Sequence, residues 1–144
     1  METVFQNLKT RTRVSGTFPK VEGALSSLTG VKLEGYEIHM GESVLLEGAH
    51  PFTEITDHVQ NTTKQDGAYC NNVYGSYVHG IFDKEAVAKN IVKAIGEEKG
   101  LDVSEMTGID FAAFKETQYD KLADGLRKHL DMKKIYEILE AGLE

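Results

Sequence analysis

The segment Gly75-Ser-Tyr-Val-His-Gly-Ile-Phe-Asp83 places His79 where a β-forming run gives way to glycine and then to helical periodicity. Imidazole titrates near neutrality, so it can take a proton from a nucleophile and return it to a leaving group. Catalytic groups gather at the C-terminal ends of strands in α/β sheets, and Gly80 removes side-chain bulk beside the ring. The same residues also fit a histidine that merely ends a strand and bonds to backbone groups. A second cluster is Gly35-Tyr-Glu-Ile-His-Met-Gly41. Strand alternation puts Glu37 and His39 on one face and Tyr36 and Ile38 on the other. A carboxylate and an imidazole on one face can orient each other, bind a polar substrate or simply satisfy one another. Two ligands are too few for a metal centre, and no metal is expected.

A thiol near an imidazole would suggest a hydrolase, and the chain has one cysteine, Cys70. Acyl-transfer cysteines stand on a glycine-flanked turn from strand to helix, where backbone N–H groups receive the oxyanion. Ala68-Tyr-Cys-Asn-Asn72 offers no such turn, so Cys70 reads as an incidental thiol. One cysteine also excludes an intramolecular disulfide and a thiolate zinc site. His50, His58 and His129 stand in no pattern that suggests chemistry, although His129 complements a helix C-terminus. No glycine-rich phosphate loop is present.

These residues need a scaffold, and two regimes of pattern supply it. From Glu2 to Phe82 the chain alternates and is punctuated by glycine; from Asp83 to Gly142 it has helical periodicity. Strands are expected over Lys9–Phe18, Val31–Met40, Phe52–Thr56 and Val73–Val78, the last running straight into His79. A short helix should span Ala24–Thr29 and end at Gly30. Asn61–Gly67 reads as a turn, with Asp66-Gly67 as the sharpest hairpin signal. Asp83 is expected to cap a helix whose stripe is Val87, Ala88, Ile91, Val92 and Ile95. A second helix should cover Phe111–Leu130, and Asp131 should cap a third. Amphipathic helices must cover something, and the sheet is the economical partner. The expectation is one α/β domain over residues 1–144, a mixed β-sheet flanked by helices.

Composition narrows the function classes. Sixteen Lys and Arg against 23 Asp and Glu give a net charge of −7. The densest basic run, Lys9-Thr-Arg-Thr-Arg13, alternates like the solvent face of a strand, so neither nucleic acid nor an anionic membrane is expected as a partner. No apolar run approaches a membrane span and no signal peptide is recognisable, which points to the cytoplasm. The terminal Leu143-Glu144 fits a cloning scar. Thr3-Val-Phe5 opens on strand character without a strand–helix lead-in, which suggests that the chain is cut from a longer one.

Taken in order, Gly35-Tyr-Glu-Ile-His-Met-Gly41, Asp66-Gly67 and Gly75-Ser-Tyr-Val-His-Gly-Ile-Phe-Asp83 resemble the C-terminal half of the class I glutamine amidotransferase domain of the cobyric acid synthase family. Glu2-Thr-Val-Phe5, Lys9-Thr-Arg-Thr-Arg-Val-Ser-Gly16 and Leu130-Asp-Met-Lys-Lys-Ile-Tyr136 fit it too. The resemblance implies a partial flavodoxin-like fold and glutaminase chemistry, in which a cysteine forms a thioester and released ammonia feeds an ATP-dependent ligase. That ligase amidates carboxylates of adenosylcobyrinic acid a,c-diamide in cobalamin biosynthesis. By resemblance His79 is the catalytic histidine, and Tyr36, Glu37, His39 and Gly80 are active-site architecture. Ile81 stands where an acidic third member would be, which implies a Cys–His dyad.

The cysteine elbow and the ATP- and Mg-binding synthetase domain are not in this sequence. The chain alone is therefore expected to hold no cofactor, to be inactive, and to need both parts as partners. A cut sheet would also leave an edge through which two copies can dimerise. Two alternatives stay open: a non-catalytic amidotransferase-like interaction subunit, and a related amidotransferase acting on a cell-wall precursor.

Overall fold

The computed structural model describes residues 1–106 and 108–142. The expectation for Leu143-Glu144 lies outside the described residues. The chain divides into two compact units, Met1–Ile109 and Asp110–Glu144.

The first unit is built on a five-stranded sheet of order β4-β3-β1-β2-β7. Its strands are β1 (Glu2–Thr17), β2 (Lys32–Val44), β3 (Thr53–Asp57), β4 (Thr63–Asp66) and β7 (Val78–His79). A separate hairpin joins β5 (Ala68–Cys70) and β6 (Val73–Gly75). Every ladder among the described residues is antiparallel, which corrects the expectation of a mixed sheet. Parallel pairing needs a long crossover between strands, and the only helix between strands here is one short 3-10 turn over Gly23–Leu28.

Alternation decides which face is buried. Val14 on β1, Leu33 on β2 and Ile55 on β3 turn to the core face, each at most 1% exposed. Phe18, Val21, Leu25, Leu28, Phe52, Tyr69, Val78 and Ile81 close over them, and α1 (Glu85–Glu98) adds Val87 and Ala94. Phe18 meets Phe52 edge to face, with centroids 5.0 Å apart. Opposite this core, Arg11, Arg13, Glu34 and Tyr36 stay exposed.

Several local expectations are corrected. The polar run Thr63–Asp66 is a strand, because it completes the sheet edge beside β3 rather than turning. The turn before it is made by Asp57, whose Oδ1 accepts from the backbone N–H of Val59 and Gln60, with Asn61 at φ 55°. The tight hairpin lies at Asn71, φ 52°, and not at Asp66-Gly67. The strand expected over Val73–Val78 is two pieces, broken at Ser76-Tyr77 so that β6 pairs with β5 and β7 with β2. Asp83 ends a 3-10 turn over Ile81–Asp83, and Lys84 takes the N-cap position of α1 without a side-chain cap. On α1, Val92 and Ile95 are exposed, and Ala94 is buried in their stead.

In the second unit, α2 (Phe111–His129) and α3 (Met132–Ala141) form as expected. Asp110 and Asp131 cap them by accepting from the N–H groups of Ala113 and Lys134. Neither helix buries a residue.

Candidate active site

His79 ends β7, the edge strand, with its Cα paired to Tyr36 of β2. Its side chain is exposed and makes no hydrogen bond among the described residues. Two glycines make this placement work. Gly35 lies so close to β7 that any Cβ there would run into the His79 carbonyl and the Val78 side chain. Gly80 follows at φ 78°, a left-handed conformation that turns the chain sharply into the 3-10 turn before α1. The imidazole therefore stands at the end of a strand, beside solvent.

Directly opposed residues of an antiparallel pair share a face. Tyr36 is thus on the His79 face, and so is Arg13, its partner on β1. The guanidiniums of Arg11 and Arg13 lie 5.5 and 5.4 Å from the Tyr36 ring centroid. Nearby, Glu34 is paired with Lys84 at 2.8 Å. The Lys84 hydrogen bond chiefly holds the Glu34 carboxyl below the usual range, against the smaller opposing effect of burial.

Glu37 and His39 do share a face, as alternation requires, but it is the core face, opposite His79. Nor do they bond to each other. Glu37, 4% exposed, accepts from the Lys64 ammonium at 2.7 Å. His39 stacks on Tyr77 with ring centroids 3.9 Å apart, and its buried Nε2 finds no hydrogen-bond partner among the described residues. Together with Asp66 these groups line a cleft of about 520 Å³. Tyr77 is held in turn by Thr3 and Ser43, whose hydroxyls lie 3.0 and 3.1 Å from its own.

Asp66 ties this region together. Its Oδ2 accepts from Thr53 at 3.0 Å and Ser76 at 2.6 Å, and its Oδ1 from the backbone N–H of Tyr77. One buried carboxylate on edge strand β4 thus anchors the residues leading into β7, the opposite edge. Lys64, Asp66 and Tyr77 were not expected at the site from sequence. The run Thr63-Lys-Gln-Asp66 is polar throughout and carries no alternation that could have shown it. Cys70 is exposed at the end of β5, in a sheet separate from that of His79. No cluster of three or more metal-ligating side chains occurs among the described residues, and none of the helices is long and apolar enough to cross a membrane.

A short strand thus ends in an exposed histidine beside the strand that carries Tyr36-Glu-Ile-His39. Residues 1–87 match the CobB/CobQ-like glutamine amidotransferase domain, and the chain belongs to that family. Among individual proteins it is similar to the cobyric acid synthases. It is 44% identical over 144 residues to that of Ruminiclostridium cellulolyticum, covering 99% of this chain and 28% of that protein. Identity is 44% over 154 residues with the Lachnoclostridium phytofermentans protein (99% and 29% covered) and 40% over 144 residues with that of a Thermoanaerobacter species (97% and 28%). The chain thus spans less than a third of the length of these relatives. No solved structure matches it.

Proposed function

We propose that this chain forms the histidine-bearing part of the glutaminase in a cytoplasmic cobyric acid synthase. It would work with a flavodoxin-like remainder that carries the nucleophilic cysteine and with a synthetase domain that binds ATP and Mg. The observation that supports this most directly is the free imidazole of His79 at the end of β7, in a chain 44% identical to cobyric acid synthase over nearly its whole length.

In this reading His79 takes the thiol proton as the cysteine sulfur attacks the glutamine side-chain carbonyl. The C–N bond then breaks, and the imidazolium returns the proton to departing ammonia. Water, deprotonated by the same ring, hydrolyses the thioester to glutamate and restores the thiol. Ile81, two residues beyond, leaves the ring without an acidic partner there, so a Cys–His dyad carries the chemistry. Tyr36 and Gly80 shape the ring's surroundings. Glu37 and His39, carried over by resemblance as active-site architecture, lie on the opposite face, where with Tyr77 they line the cleft. Ammonia would pass to the ligase, which amidates carboxylates of adenosylcobyrinic acid a,c-diamide.

Replacing the matching region of the Ruminiclostridium protein by this chain tests the reading. The chimaera should release ammonia from glutamine, and His79→Ala should lower that rate by roughly 100-fold or more, as loss of a general acid–base does. Unchanged hydrolysis in the His79→Ala chimaera would remove His79 from the mechanism. The 144-residue chain alone should release no ammonia, and release by it would refute the need for a second segment.

A further inference from the structure

The solvent face of the sheet carries a feature that glutaminase chemistry does not use. Arg11 and Arg13, two residues apart on β1, project to the same side and both pack over the ring of Tyr36. Neither guanidinium belongs to an ion pair or makes a side-chain hydrogen bond among the described residues. The nearby Glu34 carboxylate is taken by Lys84 at 2.8 Å. Two cations therefore flank one ring in a chain of net charge −7, their N–H forks in no hydrogen bond among the described residues. The ring holds both by its quadrupole, which fixes their direction without consuming a single donor.

We propose that Arg11 and Arg13, braced on Tyr36, form a binding site for an oxyanion, a phosphate or a carboxylate. Guanidinium forks match such groups in two-point geometry, which a lysine pair would not. The plain alternative is a solvated basic face, since alternating arginines on an exposed strand need no ligand. Three features favour a site: both cations share one aromatic brace, neither is in an ion pair among the described residues, and the nearby acid is occupied. The row continues through Tyr36 to His79, so an anion held here would lie on the same face as that imidazole. The proposal does not depend on glutaminase chemistry and stands or falls separately.

Nuclear magnetic resonance titration of the whole chain tests it, with inorganic phosphate in one arm and succinate in another, at ionic strength held constant with chloride. The expected result is saturable movement of the Arg11 and Arg13 Nε–H and Tyr36 ring signals, with a dissociation constant on the order of millimolar. Saturation by phosphate alone or by succinate alone identifies the oxyanion, and either supports the site. Arg11→Gln/Arg13→Gln should weaken binding at least tenfold, and Arg11→Lys/Arg13→Lys, which keeps the charge, should weaken it several-fold. Lys20→Gln, remote from the pair, should change nothing. Linear, unsaturating shifts in the parent chain, equal to those in chloride, would overturn the proposal whatever the variants do.

Discussion

Glu37 is buried on β2 and accepts from the Lys64 ammonium of β4 at 2.7 Å. Its face follows from the period of a strand, and the sequence places it beside His39 correctly. Its partner does not follow, because Lys64 comes from a strand three positions away in sheet order and 27 residues on in the chain. Burying a carboxylate is costly unless it is paired, so removing the partner hurts more than removing the pair. Lys64→Ala should therefore destabilise the chain by roughly 2 kcal/mol, less than for a fully buried pair because the ammonium is half exposed. Glu37→Leu/Lys64→Met should recover most of that loss. Urea unfolding of the three proteins measures both, and a Lys64→Ala midpoint equal to the parent's would show that Glu37 does not need its cation. The separation of His79 from Glu37 was equally open to sequence reasoning. Neighbours in a strand face opposite ways, so His79 could join Tyr36 or Glu37 but not both. Which one it joins is set by register, and register between β2 and β7 is a tertiary fact.

At the scale of elements, what the sequence hid was short and polar. The strands around Val14, Leu33 and Ile55 and the capped helices α2 and α3 were readable from period and caps. The four-residue β4 was not, because pairing rather than pattern makes it a strand, nor was the break at Ser76-Tyr77 that parts β7 from β6 within the expected Val73–Val78 strand. Gly35 is where β7 is decided. Gly35→Ala forces a methyl group into the His79 carbonyl, and overpacking of this kind costs about 1–3 kcal/mol. The expected result is a lower Tm and loss of hydrogen-exchange protection at the β2–β7 ladder before the rest of the sheet; uniform protection across both would contradict it. The β3–β4 turn makes a pH prediction. Chiefly the Gln60 N–H, with Val59 and Thr12, holds the Asp57 carboxyl below its ordinary 3.8. A depressed acid stabilises the fold above its unfolded value and loses that contribution as pH falls through the folded one. Stability should decline as the pH drops below about 3.8, and Asp57→Asn should decline less steeply over that interval. Parallel acid limbs in thermal melts from pH 5 to pH 2 would rule out the turn as a source.

For the molecule as a whole, burial is divided unevenly. Every residue of the hydrophobic core, from Val14 to Ala94, lies in the Met1–Ile109 unit, while α2 and α3 leave Phe114, Tyr119, Leu122, Leu126, Tyr136 and Leu139 exposed. Caps and helix propensity alone hold short helices weakly in water, and most helical stability comes from packing an apolar face. The sheet unit should therefore fold without the helices, and the helices should depend on whatever apolar surface meets them. A chain ending at Ile109 is expected to keep its sheet and to melt within a few degrees of the 144-residue chain, since it retains the full core. The peptide Asp110–Glu144 alone should be largely unfolded by circular dichroism and gain helix in trifluoroethanol. A truncated chain that loses cooperative melting would mean that the helical unit supplies part of the core, and a stably helical isolated peptide would mean that its exposed stripe is covered by self-association.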